Sequence, residues 1–331
     1  MKQIRPGIVG LGLALPPKIL TNDDLAKFVD TNDEWITTRT GIKQRHVADE
    51  TISTSDLAFE AAQAALKQAG LTAKDLDLII VATSTPDFPL FPSTAAILQD
   101  RLGANKVGAF DLSAACSGFT YGLSNAQAFI NSGMYKTILL VGAETLSKFV
   151  DWKDRRTCVL FGDGAGAAVI KAVDDGTGIL YSMLGSDGKD GHFLSVKKGG
   201  SRHPLKNEAL DDPDRFIFMD GKEVFKFGVK IIETCIEDVL QKNNLTPADI
   251  AYVVPHQANI RIIDAAARRF NWPSEKVYAN ISRFGNTSAA TIPIALAEMQ
   301  NRAMLKKGDL IITVGFGAGL TWAANLIKWS I

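Results

Sequence analysis

The 331-residue sequence has no excess of charge of either sign: 36 lysines and arginines stand against 36 aspartates and glutamates, for a formal net charge of zero. Without a net field there is no global attraction to nucleic acid or to an anionic membrane, and neither is expected as a partner. Cysteines are few. Cys116, Cys158 and Cys235 lie too far apart for a disulfide framework or a metal-ligand pattern, so no metal site is expected. Free thiols fit a reducing compartment, and a cytoplasmic location is expected. Long apolar runs are missing too. The opening MKQIRPGIVGLGLALPPK is interrupted by glycines and by Pro16 and Pro17, which is no plan for a signal peptide, and no later run would span a bilayer. What the chain does have is 46% hydrophobic residues, enough at this length to bury a large core.

Apolar runs typical of strands fall near 4–14, 77–83, 107–112, 137–143, 157–170, 251–254, 277–281 and 309–315. Helical periodicity covers 53–69, 93–102, 117–131, 222–243, 258–269 and 289–303. Strand and helix alternate, which predicts an α/β fold. Residues 186–220 are polar and rich in Gly, Asp and Lys, with interleaved Phe and Leu, and read as a surface excursion over a site. Two glycine-rich runs, GIVGLGLALPP from Gly7 and FGDGAGAAVIKAV from Phe161, hint at a dinucleotide-binding turn. Neither opens a helix: the first leads into two prolines and the second into a β-branched strand, so both are assigned to tight turns and close packing.

Cys116 sits in GAFDLSAACSGFTYGL, where a strand-like run gives way to small residues and then to a helical pattern. A thiol at a helix N-terminus meets unpaired N–H groups and the positive end of the helix dipole, which favour thiolate and predict a lowered pKa. A buried structural cysteine fits the same run, and Cys116 alone does not decide between them.

A faint internal duplication adds to this. LTAKDLDLIIV at 71–81 and LTPADIAYVVP at 245–255 match, and each follows a helical stretch. Carried forward, the match sets Ala82 opposite His256. KVGAFDLSAAC from Lys106 then pairs with KVYANISRFGN from Lys276, placing Cys116 opposite Asn286. Two halves are expected, 1–172 and 173–331, which face to face would bring Cys116, His256 and Asn286 to one centre. Singly, His256 after Pro255 and Asn286 after Gly285 are ordinary turn residues; together with Cys116 they form a candidate triad.

AACSGF around Cys116, VPHQAN around His256 and GNTSAA from Gly285 resemble the active-site motifs of the β-ketoacyl-acyl-carrier-protein synthase III enzymes of the thiolase superfamily. The likeness runs from DTNDEWITTRTGIKQRH to GFGAGLTW. It implies a five-layered αβαβα thiolase-like fold and a decarboxylative condensation of a short acyl-CoA with malonyl-acyl carrier protein. Cys116 would carry the acyl group, His256 and Asn286 would stabilise the enolate, and the backbone N–H groups of Cys116 and Ala318 would form the oxyanion hole. No cofactor is implied, since coenzyme A enters as a substrate thioester.

The same resemblance implies that Trp35, Arg39 and Arg155 hold coenzyme A. It implies that Thr85, Phe91, Leu146 and Phe161 shape the acyl pocket, with Phe91 reaching across the interface of a homodimer. Arg261, Arg268 and Arg269 are basic residues after the histidine that suit an acidic carrier protein, and Lys222 and Lys226 extend them. The sequence departs from the family pattern where Gly317, Ala318 and Gly319 replace three consecutive glycines and where Ala323 follows Trp322; an alanine keeps the backbone donor but disfavours positive φ. A secondary-metabolism relative with another primer or a CoA-borne acceptor, and a non-catalytic acyl-binding subunit, are the alternatives. A degradative thiolase is disfavoured because no second cysteine stands near GFGAG.

Overall fold

The structure is a computed structural model, and it describes residues 4–206 and 210–331. In chain order the strands are β1 (Arg5–Ala14), β2 (Ile19–Thr21), β3 (Gln44–His46), β4 (Leu78–Ala82), β5 (Gly108–Leu112), β6 (Thr137–Thr145), β7 (Asp163–Val173), β8 (Gly178–Ser186), β9 (Leu194–Ser195), β10 (Phe218–Met219), β11 (Tyr252–Pro255), β12 (Leu310–Gly317) and β13 (Thr321–Lys328). The helices are α1 (Asn22–Leu25), α2 (Asp33–Thr40), α3 (Thr54–Ala69), α4 (Thr94–Arg101), α5 (Gly118–Asn131), α6 (Gly221–Lys242), α7 (Ile260–Arg269), α8 (Ile281–Phe284) and α9 (Thr291–Asn301).

Two large sheets carry the fold, with strand orders β1-β7-β6-β4-β5 and β11-β12-β13-β8. Their pairings correspond: β4 runs parallel to β6 as β11 does to β12, and β6 is antiparallel to β7 as β12 is to β13. The β7–β1 and β13–β8 pairs are likewise antiparallel. The first sheet draws all its strands from residues before 174 and the second from residues after 177. The correspondence stops at the edge. Where the first sheet adds β5, the predicted strand at 277–281 contributes a lone bridge between Val277 and Val253 and then turns into α8.

Central strands are continuous apolar runs because both faces are covered. Every residue of β4 and β6 is buried. On the outer face of the first sheet lies α3, started by a Ser53–Asp56 capping box and stopped by Gly70 at φ 66°. A Cβ at Gly10 or Gly12 of β1 would run into the Ala65 or Ala61 carbonyl, which accounts for the first glycine run as close packing on α3. Between the sheets, Phe119 and Leu123 of α5 and Ile292, Leu296 and Met299 of α9 join Ile80 and Leu140 on one side and Val254 and Ile311 on the other in one core cluster. Beyond the second sheet, α6 and α7 enclose a further cluster around Ile232, Ile236 and Ile263. The order of layers is helix, sheet, helix, sheet, helix.

Other elements also differ from expectation. The strand predicted from 157 begins at Asp163, because residues 157–162 turn to carry Phe161 beside Asn286. β8 and β13 have no counterpart among the predicted strands. The predicted excursion at 186–220 is a short helical turn and the β9–β10 pair, leading to Asp220, which caps α6; its residues 207–209 lie outside the described residues.

Candidate active site

Cys116 is buried in a one-turn 3-10 helix, Ala115–Ser117, between the end of β5 and the first turn of α5. The preceding Ala115 has φ 46°, a left-handed conformation that costs a non-glycine residue roughly 1–3 kcal/mol and marks a backbone held by its surroundings. The β12–β13 turn does the holding. Ser117 Oγ donates to Ala114 O at 2.7 Å and lies 2.8 Å from Thr321 Oγ1, which in turn reaches Ala318 O at 2.9 Å. A Cβ on Gly317 would stand 2.7 Å from Cys116 Cβ and 2.8 Å from Sγ, so only glycine fits against the thiol.

The helix N-terminus is where the sequence puts the cysteine, but the predicted lowering of its pKa is overturned. Burial pushes the thiol up to about 11, the Glu144 charge adds to this, and the Ser288 hydroxyl and the amides of Cys116 and Ala318 only partly oppose it. Desolvation of a thiolate outweighs the dipole. Ala318 is not among the left-handed residues, whereas Gly319 beside it has φ 130°. The alanine therefore occupies the one position of the Gly317–Gly319 run where a side chain meets neither obstacle.

His256 follows β11, its amide donating to Val314 O of β12 at 2.8 Å. Its Nδ1 is 2.8 Å from Thr291 Oγ1, and the Phe316 ring stands edge-on to the imidazole at 5.4 Å. The Thr291 proton has two acceptors in reach, Nδ1 and the Ser288 carbonyl at 2.9 Å. When it goes to Nδ1, the ring proton sits on Nε2 and the imidazole is a neutral donor. Burial holds its pKa down to about 3, so the ring is uncharged near neutral pH.

Asn286 is held from both sides. Its amide donates to Leu160 O at 2.9 Å, and its carbonyl accepts from Gly162 N at 3.0 Å. The side-chain Oδ1 accepts from Ser288 N at 2.9 Å, which leaves the Nδ2 donors free to point elsewhere.

All three side chains line one cavity of about 560 Å³. Trp35, Arg39, Arg155 and Phe161 line it as well, as do Lys222, Lys226 and Arg261. Trp35 is flanked by Arg39 at 4.5 Å and Arg155 at 5.1 Å, and Arg155 is tethered to the Asp30 carbonyl at 2.8 Å. Asn259 donates to Arg39 O at 2.9 Å, which joins α2 to the start of α7 just after His256.

Three of the predicted acyl-pocket residues, Thr85, Leu146 and Phe91, do not line this cavity. Thr85 is 3% exposed, and its hydroxyl donates to Glu144 at 2.7 Å, so a polar network holds it away from the wall. Leu146 packs into the cluster of Val150, Val159 and Leu160 behind Phe161. Phe91 stands 80% exposed on the surface beside Leu90. Arg261 lies over the Phe225 ring at the cavity rim, 5.1 Å away, while Arg269 pairs with Glu237. Sequence reasoning missed Thr291, Ser288, Phe316 and Glu144. The first two belong to the GNTSAAT run that carries Asn286, which is the one signal that could have found them. Among the described residues no group of His, Cys, Asp or Glu could hold a metal ion, and no helix is long and apolar enough to cross a membrane.

Two sheets of matching strand order about a buried helix pair, with Cys116, His256 and Asn286 at one cavity, define the thiolase-like class of condensing enzymes. Residues 110–188 match the family model described as 3-oxoacyl-[acyl-carrier-protein] synthase III, and residues 240–329 match its C-terminal counterpart. A β-ketoacyl-[acyl-carrier-protein] synthase III of Caldanaerobacter subterraneus subsp. tengcongensis is 56% identical, with 99% of each chain covered. The crystal structure of 3-oxoacyl-[acyl-carrier-protein] synthase III from Aquifex aeolicus superposes with a TM-score of 0.91 at 48% identity, covering 98% of this chain and 100% of that one. The priming β-ketosynthase of the R1128 polyketide biosynthetic pathway superposes at 0.90 and 33% identity, covering 100% of this chain and 98% of the other. The chain belongs to the β-ketoacyl-acyl-carrier-protein synthase III family.

Proposed function

We propose that this chain joins a short acyl group, delivered by acyl-coenzyme A, to the malonyl unit of malonyl-acyl carrier protein, releasing carbon dioxide and starting a fatty acid. The convergence of Cys116, His256 and Asn286 on one cavity carries this reading. Cys116 Sγ bonds to the thioester carbonyl carbon, whose oxygen takes the displaced electron pair beside the Cys116 and Ala318 amides. Collapse breaks the C–S bond to coenzyme A, which leaves as its thiol with the proton that Cys116 gave up, and the acyl group stays on the cysteine, which divides one hard step into two easier ones. Breaking the C–CO₂ bond of the malonyl unit then places an electron pair on an enolate. His256 Nε2–H and Asn286 Nδ2–H are the donors for its oxygen, and loss of one such donor typically costs on the order of 10²–10³ in rate. The carbanion attacks the acyl carbonyl, and the cysteine leaves.

Trp35, Arg39 and Arg155 are assigned to coenzyme A, because planar cationic and aromatic groups bracket a purine. Arg261 and Arg268, with Lys222 and Lys226, are assigned to the acidic carrier. Exposed Leu90 and Phe91 support a homodimer in which a second copy covers them. Coenzyme A is a substrate here, and no cofactor is proposed. Three buried free thiols suit the cytoplasm. Likeness to the R1128 priming ketosynthase favours a second reading, in which the same residues serve secondary metabolism.

Intact-mass analysis after incubation with a panel of acyl-CoAs tests the assignment. One adduct on Cys116 is expected without malonyl-acyl carrier protein. His256→Ala and Asn286→Ala are expected to retain the adduct and lose malonyl decarboxylation. An adduct on Cys158 or Cys235, or equal loss of both half-reactions in a folded variant, refutes it. Malonyl-CoA working as well as malonyl-acyl carrier protein selects the second reading.

A further inference from the structure

Arg45, at the centre of β3, is 0% exposed, yet no carboxylate among the described residues pairs with it. Burial lowers its pKa only to about 10, so the guanidinium is a cation near neutral pH. A buried charge without a counterion is costly, and an apolar side chain would hold a short strand pair without that penalty. Its Nε has no partner, while its other nitrogens hold oxygens of three segments. Nη1 donates to Leu20 O of β2 at 3.1 Å and to Asn22 Oδ1 at 2.9 Å, and Nη2 donates to Val159 O at 2.7 Å. The last bond reaches into the turn at 157–162. That turn frames Asn286: Leu160 O accepts the Asn286 amide at 2.9 Å, and Gly162 N donates to the Asn286 carbonyl at 3.0 Å. Arg45 also backs the frame by contact. A Cβ on Gly162 would stand 3.0 Å from Arg45 Cβ, and one on Gly285 would stand 3.2 Å from it. Because Asn286 Oδ1 is fixed on Ser288 N, the direction of Nδ2 follows the backbone, and the backbone follows this turn.

Resting on the assignment of Asn286 as a donor to the enolate, we propose that Arg45 is a positioning residue for that asparagine, holding the 157–162 turn through Val159 O so that Nδ2 meets the enolate oxygen. Arg45 does not line the cavity and acts only through the turn. Arginine suits the task, because its planar fork reaches Leu20 O and Val159 O at once, whereas a lysine ammonium is a point donor on one stem. The role is confined to one half-reaction. Cys116 is held separately, by the β12–β13 turn. The coenzyme A side does not depend on Arg45 either, since Asn22 Nδ2 stays tied to Ile42 O at 2.7 Å and to Asp33 of α2 at 2.8 Å. Loss of the guanidinium is therefore felt at the enolate and not at the thioester.

The test compares two half-reactions of the full chain: acylation of Cys116 by acetyl-, isobutyryl- and octanoyl-CoA, followed by intact mass, and release of carbon dioxide from malonyl-acyl carrier protein. Arg45→Lys is expected to lower kcat for decarboxylation about 10- to 100-fold, with KM for malonyl-acyl carrier protein and the acylation rate within about threefold of wild type. Arg45→Met, which removes the charge, is expected to fold and to show the same split. Asn286→Ala is expected to lose on the order of 10²–10³ in decarboxylation. Adding Arg45→Lys to it is expected to cost less than about threefold more, because a residue that acts through Asn286 then has nothing left to position. The proposal is overturned if Arg45→Lys decarboxylates within about threefold of wild type, if both half-reactions fall together, or if its loss persists undiminished in the Asn286→Ala background. It is overturned as well if neither Arg45 variant folds, which assigns the guanidinium to stability alone. Asn286→Ala decarboxylating at the wild-type rate overturns the parent assignment instead, so the two failures are distinct.

Discussion

Replacing Gly317 by alanine is expected to disable acylation while leaving the fold in place. The added Cβ would lie 2.7 Å from Cys116 Cβ and 2.8 Å from Sγ. Non-bonded carbons rest about 3.5–4.0 Å apart, so the cysteine or the β12 end must shift by roughly 1 Å. Neither is free to yield, because Ser117, Thr321 and the Ala114 and Ala318 carbonyls lock the two turns together. A misplacement of about 1 Å at a reacting atom costs on the order of 10² in rate. Overpacking in a dense core costs about 1–3 kcal/mol, which in a chain of this size is a fall in Tm of roughly 1–4 °C. Rapid-quench intact mass measures the acylation rate, and calorimetry measures Tm. Ala318→Gly is the matched control: no left-handed backbone is relieved and no clash removed, so acylation within about threefold of wild type is expected. Gly317→Ala acylating at the wild-type rate with unchanged Tm would refute the clash argument, and so would equal damage from Ala318→Gly.

The imidazole of His256 is expected to stay neutral where a free histidine titrates. Because its folded pKa is lowered from 6.5 to about 3, the unfolded chain binds the proton more tightly, so this group's contribution is complete above 6.5 and is lost as pH falls towards 3. Nitrogen NMR should show the ring signal that His256→Asn removes unchanged between pH 5 and 8; a His256 ring titrating near 6.5 contradicts this. Charge reversal at Arg261, on the cavity rim, is expected to raise KM for malonyl-acyl carrier protein and to weaken the salt dependence of that step, with the acyl-CoA half-reaction little changed. Arg269→Glu, which breaks a pair with Glu237, should matter less. Equal effects of the two reversals would place the carrier on the whole helix face.

The element pattern was largely readable because β4, β6 and the helices between the sheets are buried on more than one side, and burial writes itself into composition. β13 escaped notice for the opposite reason. Its centre is Ala323, Ala324 and Asn325, poor strand formers, and Asn325 is buried only because Ser124 and Ser182 receive its amide at 3.0 and 2.9 Å. Such partners are set by tertiary contact, which overrides propensity. The duplicated motif at 276–286 misled in the same way: its counterpart of β5 does not pair as a strand, although it still carries Asn286 to the cavity.

By itself the sequence determined the alternating α/β architecture, the doubling of the sheet motif and the three residues that meet at the cavity, because periodicity and short motifs are local properties of the chain. Only the tertiary structure decided the electrostatics. The Cys116 thiol lies at a helix start as its sequence implies, yet its pKa rises, because desolvation depends on every layer packed over it. The same packing removed Thr85 and Leu146 from the cavity wall and allowed alanine at 318.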